Sequence, residues 1–132
     1  MFSMPGSKAA ERSVVYPFIT QTISDATSHL HRAEGLLRTE HVEGAIERCI
    51  RARREIESAR DEIEASSDII TRAKRKRFDD DLDRAFRRLW AITVQVNQAS
   101  KGSKSLFDKA RQLRVDLIAY SYQPEPERAV GG

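Results

Sequence analysis

Apolar side chains recur along most of this chain at alternating steps of three and four. The longest such series is Val42, Ala45, Cys49, Ala52, Ile56, Ala59, Ile63, Ser66 and Ile70. That spacing gathers all nine on one stripe of an α-helix. Ala45, Ala52, Ala59 and Ser66 put a small side chain in every second layer, with Cys49, Ile56 and Ile63 between them. Small layers let a neighbouring helix come close. The stretch reads as a helix built to be packed against.

Three further stripes surround it. Ile19, Ile23, Ala26, Leu30, Ala33 and Leu37 repeat at four-three spacing, with Phe18 and Leu36 widening the face. This first helix is predicted to begin near Tyr16 or Pro17, because proline is tolerated in a first turn and costs heavily deeper in. It ends near Arg38, with Thr39 as N-cap of the next helix. A third helix carries Phe78, Leu82, Ala85, Leu89, Ile92, Val96 and Ala99, with Phe86 and Thr93 widening the face and Trp90 at its edge. Its bulky stripe suits the small-residue face of the second helix. Lys101-Gly102 ends it, Gly being a usual stop. Ser103 caps a fourth helix with Leu106, Ala110, Leu113, Leu117 and Tyr120 inward and Phe107 and Ile118 beside them.

Residues 72–83 pose the main question of connectivity. A basic block (Arg72, Lys74, Arg75, Lys76, Arg77) precedes an acidic one (Asp79, Asp80, Asp81, Asp83). Cations suit a helix C-terminus and anions an N-terminus, so the second helix is predicted to end near Arg77 and the third to start near Asp79. The alternative is one unbroken helix through residues 45–101, about 85 Å long. The expected fold is therefore all-α, an up-and-down bundle of about four helices over residues 15–122. Its rival is a pair of hairpins sharing one long central helix, which would need a second copy to cover the exposed stripe. Residues 1–14 are read as a flexible N-terminal arm and residues 123–132, with Pro124 and Pro126, as a disordered tail.

Charge changes this picture little. Charged residues make up 33% and aromatics 7% of 132 residues, which suits solvated helices. The net charge of +3 does not by itself demand a nucleic-acid partner. One cysteine excludes an internal disulfide framework and fits a reducing compartment. No apolar run reaches signal-peptide or membrane-span length. The chain is accordingly expected to be cytoplasmic, with no membrane contact.

Site chemistry is sparse. A metal site in a bundle wants Glu-x-x-His on two helices, and the sequence has none. His29, His31 and His41 cluster near the first hairpin, but His29 and His31 diverge on a helix. Cys49 lies within the packing stripe, where a thiol is inert. No phosphate loop or nucleophile triad can be assembled, and neither an enzymatic role, a cofactor nor a metal is expected. Two clusters can meet phosphate: Arg72, Lys74, Arg75, Lys76 and Arg77, and Arg84, Arg87 and Arg88, the latter joined by Lys101, Lys104 and Lys109 if the last two helices lie side by side.

Two motifs resemble known families. His31-Arg-Ala-Glu-Gly35 is similar to the His-x-x-Lys-Gly of histidine phosphotransfer bundles, but Glu34 stands where the Lys would support a phosphoryl group. Leu30-His-Arg-Ala-Glu-Gly-Leu-Leu, Val42-Glu-Gly-Ala-Ile-Glu-Arg, Arg87-Arg88-Leu89 and a final amphipathic helix resemble, in order alone, flagellar export chaperones of the flagellin-binding type. That resemblance implies a helical chaperone for another protein. The leading expectation is thus a non-enzymatic protein–protein interaction module (adaptor, assembly factor or chaperone-like), self-association included. The alternative is nucleic-acid binding, RNA above all, through clustered Arg and Lys.

Overall fold

The computed structural model describes residues 5–121, with side chains over 8–120. Four helices follow one another: α1 (Pro5–Arg38), α2 (Val42–Ala65), α3 (Arg72–Ala99) and α4 (Lys104–Ser121), with no strand among the described residues. The tail expected over 123–132 lies outside them.

α1 starts at Pro5, well upstream of Pro17, so residues 5–14 are helical rather than an arm. Pro17 sits inside the helix, where it removes the bond to the Ser13 carbonyl. Both residues are on the exposed side, so water can satisfy that carbonyl. Tertiary contacts hold the turn around it. Arg12 Nε donates to the Ile69 carbonyl at 2.6 Å, and the Thr71 N–H donates to the Tyr16 hydroxyl at 3.1 Å. The Tyr16 ring meets Phe78 edge-on at 5.7 Å. Packing thus outweighs the local cost that the proline imposes.

The α1–α2 turn is a Schellman motif. The His41 N–H donates to the Leu36 carbonyl at 2.8 Å and the Glu40 N–H to Leu37 at 3.1 Å. Glu40 takes the left-handed position, with φ 62. Thr39, expected to cap α2, instead closes α1, its hydroxyl donating to the Gly35 and Leu36 carbonyls. His41 takes the N-cap place of α2 without a side-chain bond.

The α2–α3 break falls at residues 66–71, not near 77–79, and no long central helix forms. Ser66 is the C-cap of α2, and its hydroxyl donates to Glu62 Oε2 at 2.6 Å. Ile69 and Ile70 turn inward and are buried, contributing roughly 1.5–3 kcal/mol each. Thr71 then caps α3, accepting from the Lys74 N–H. The basic block consequently occupies the first turns of α3, against the helix dipole. Arg75 and Lys76 meet Asp79 and Asp80 one turn later. Dipole and i,i+4 terms are both about 0.3–0.5 kcal/mol at exposed positions. The two buried isoleucines and the threonine cap are larger, and they decide where the chain breaks.

α1 and α2 are antiparallel. His29 and Arg48 are bonded at 3.2 Å, a register that sets Ala26 level with Ala52 and Ala33 level with Ala45, all fully buried. A Cβ on Gly44 would stand 3.2 Å from Leu36 Cδ1, which shows how closely the helices approach. The small-residue face of α2 is therefore met chiefly by α1 rather than by the bulky stripe of α3. Ala45, Cys49, Ala52, Ile56, Ala59, Ile63, Leu82, Leu89 and Val96 are all buried. α4 returns antiparallel to α3, with Asn97 Nδ2 donating to the Ala110 carbonyl at 3.1 Å. Both α1 and α4 pack against the α2–α3 pair, from opposite flanks, and do not touch each other among the described residues.

Candidate functional site

The basic clusters are the first candidates, and the fold scatters them. In the first cluster, Lys74 lies over the Tyr16 and Phe78 rings at 5.4 and 5.2 Å. Arg75 Nη2 pairs with Glu64 of α2 at 2.5 Å, and Lys76 with Asp80 at 3.2 Å. Arg72 and Arg77 are exposed and make no ion pair among the described residues. In the second cluster, Arg84 pairs with Asp81 at 2.6 Å and Arg87 with Asp83 at 3.0 Å. Arg88 turns the other way, onto Glu34 of α1. Lys104 and Lys109 pair with Asp108 and Glu43. Helices α3 and α4 do lie side by side, but most of their cations are already matched by carboxylates. Such a mixed face has a weak net field.

The nucleophile and ligand candidates are equally occupied. Burial pushes the Cys49 thiol up to about 12, far from the thiolate that reacts or binds metal. His29 is held below its ordinary value, first by burial and then by the Arg48 guanidinium. His41 shares a 2.9 Å bond with Thr39, and His31 is exposed beside a Glu34 already engaged by Arg88. Among the described residues no group of His, Cys, Asp and Glu is placed to hold a metal ion, and no helix is long and apolar enough to cross a membrane.

A cleft of about 440 Å³ opens between α2 and α3 beneath the end of α4. Ile56, Ile63, Leu82 and Phe86 are among its apolar lining. Arg60, whose guanidinium lies 5.2 Å from the Tyr120 ring centre, stands at its edge with the Arg75–Glu64 pair. The carboxylates here face arginines rather than one another. That arrangement neutralises charge, and in the cleft burial pushes the Tyr120 hydroxyl above its ordinary value.

Two apolar surfaces escaped the sequence reading. Phe18, read there as a widening of the buried stripe, is 47% exposed, and Val14 one turn earlier is 70% exposed. On the opposite flank, Phe107 and Ile118, read as core-adjacent, are 36% and 47% exposed. Ile118 lines a groove of about 350 Å³ with Phe86, Arg87 and Trp90, and Val94 continues that side of α3 at 38% exposure. The signal was present in α4: its apolar positions wrap too far round for a helix buried on one side.

A comparison with protein-family models finds no match, and neither do comparisons with curated proteins and with solved structures.

Proposed function

We propose that this chain is a non-enzymatic helical interaction module, an adaptor, assembly factor or chaperone-like protein that binds another protein or itself. One observation carries the reading. Large apolar side chains stand exposed on two flanks of a bundle whose core is already complete. Exposed, rimmed apolar patches of this kind mark protein contacts more often than chance placement does. The chain's single cysteine fits a reducing compartment, and we place the module in the cytoplasm. Capture of lysate proteins on the immobilised chain tests the reading. It should survive nuclease, and it should fall sharply for Phe18→Glu or Ile118→Glu but not for Arg72→Gln/Arg77→Gln, exposed residues that line neither surface. Capture indifferent to both apolar positions sinks it.

Nucleic-acid binding is the second reading. It is favoured by Arg111 and Arg114, which make no ion pair among the described residues and lie on the same helix flank as Phe107. Phosphate contacts release counterions, so such binding would fall steeply with salt. Replacing Arg72, Lys74, Arg75, Lys76 and Arg77 with Gln would weaken it uniformly across sequences. The absence of any recovered nucleic acid at low salt ends this reading.

A further inference from the structure

We infer that the partner of each apolar surface is the opposite surface of a second copy of this chain, so that the bundle associates head to tail. This rests on the interaction-module reading and names its partner. On the α1–α2 flank, Val14 and Phe18 stand one turn apart and project as a pair. The shallow cleft beside Phe18 is bordered by Arg54 and by three carboxylates, of which Glu57 is paired with Arg53 while Asp61 and Glu62 make no ion pair among the described residues. On the α3–α4 flank, Phe107, Arg111, Arg114 and Ile118 fall at spacings of four, three and four, which puts them on one face of α4. That face adjoins the groove of Phe86, Trp90 and Ile118. Arg111 and Arg114 make no ion pair among the described residues; Arg87 also borders the groove but is already paired with Asp83.

One flank therefore offers protruding apolar side chains beside Asp61 and Glu62, and the other an apolar groove beside Arg111 and Arg114, all four without an ion pair among the described residues. They belong to the same molecule and lie on opposite sides of the α2–α3 pair. Each is poorly suited to its own image. Two acidic borders would repel, as would two basic ones. Each is complementary to the other in charge and relief. Joining unlike patches gives a heterologous contact, which propagates into a ring or an open chain rather than stopping at a two-fold dimer.

Mixing experiments by sedimentation equilibrium test this. The wild-type chain should show an average mass that rises with concentration past the dimer and falls again as salt screens the charged borders. Phe18→Glu and Ile118→Glu should each weaken self-association by about tenfold or more, the usual effect of losing a central anchor. Each variant keeps one intact surface, so an equimolar mixture should form a 1:1 dimer and nothing larger. Arg111→Glu/Arg114→Glu, which touches no core residue, should behave as Ile118→Glu does, and circular dichroism should report unchanged helix in all three variants.

A wild-type chain that stays monomeric overturns the proposal. So does a Phe18→Glu chain that associates like wild type, or a mixture that stays monomeric. If the chain is monomeric while lysate capture still depends on Phe18 and Ile118, head-to-tail association fails and the interaction module stands. If capture is also indifferent to them, both fail.

Discussion

Arg88 on α3 grips Glu34 on α1 with two hydrogen bonds, Nε to Oε2 at 3.0 Å and Nη2 to Oε1 at 2.6 Å. The two side chains are about one-third exposed, at 35% and 32%. The bridge joins two parallel helices that no loop connects directly. Bidentate geometry places it at the upper end of surface pairs, near ~1 kcal/mol.

The Arg88 guanidinium holds the Glu34 carboxyl below its ordinary value, chiefly through their hydrogen bonds. A carboxyl with a depressed native pKa contributes stability that is complete above its unfolded pKa and lost as pH falls through the native one. Glu34→Gln should therefore lower stability by about 1 kcal/mol at neutral pH. The difference from wild type should disappear well below about pH 4, where both forms are uncharged. Urea melts at the two pH values check this. An equal deficit at both would mean that the glutamine disturbs packing rather than charge.

Glu40 occupies a left-handed position that favours glycine. That conformation costs a non-glycine residue roughly 1–2 kcal/mol, offset by the greater freedom glycine gains on unfolding, roughly 0.5–1 kcal/mol. Glu40→Gly should raise stability by about 0.5–1 kcal/mol on balance. Glu40→Val should lower it, because a β-branched residue tolerates the position worst. A melting temperature for Glu40→Gly below wild type would contradict the Schellman geometry of this turn.

The helical stripes were legible because burial in a bundle imposes its period on the sequence. Ala26, Ala52, Leu89 and Leu117 could be assigned to the core without any coordinates. Boundaries were harder, since they depend on tertiary contacts that no window of sequence contains. Pro17 announces a helix start to any local reading, and only the reach of Arg12 to Ile69 and of Tyr16 to Thr71 carries α1 past it. The charge blocks of 72–83 misplaced the α2–α3 break for a similar reason. Dipole terms are visible in sequence, whereas the inward turn of Ile69 and Ile70 is not. The exposed strips were missed because Phe18 and Ile118 lie at the edge of their stripes. Periodicity cannot say whether a neighbouring helix covers an edge, and here α1 and α4 never meet.

Thr71 tests the placement of that break. Its side chain accepts from the Lys74 N–H at the start of α3. Thr71→Ala should cost about 1 kcal/mol, the usual value of a lost N-cap, whereas an alanine inside a continuous helix would be neutral or stabilising. A rise in thermal stability for Thr71→Ala would restore the long central helix.

Ala52 and Ala59 are fully buried, so a larger side chain at either must displace its neighbours. Ala52→Leu or Ala59→Leu should overpack this seam and cost roughly 1–3 kcal/mol. Leu89, fully buried on α3, should cost roughly 2–5 kcal/mol as Leu89→Ala, by transfer and cavity terms together. Denaturant midpoints separate these from surface effects, since the slope with denaturant should stay unchanged. Three variants melting like the parent would mean that the helix faces are wrongly assigned.

Cys49 offers a readout of the same seam. It lies fully buried on α2, and burial raises its thiol to about 12. Near neutral pH it is protonated and inaccessible, so alkylation must wait for an opening of the bundle. Iodoacetamide should modify the native chain far more slowly than the denatured one, with a rate that tracks global stability. Glu40→Gly should then slow labelling, and Leu89→Ala should accelerate it by roughly the factor its lost stability dictates, about tenfold for each 1.4 kcal/mol. Labelling that is fast in the native chain and indifferent to these variants would place Cys49 on a local fluctuation of α2 instead of in the cooperative core.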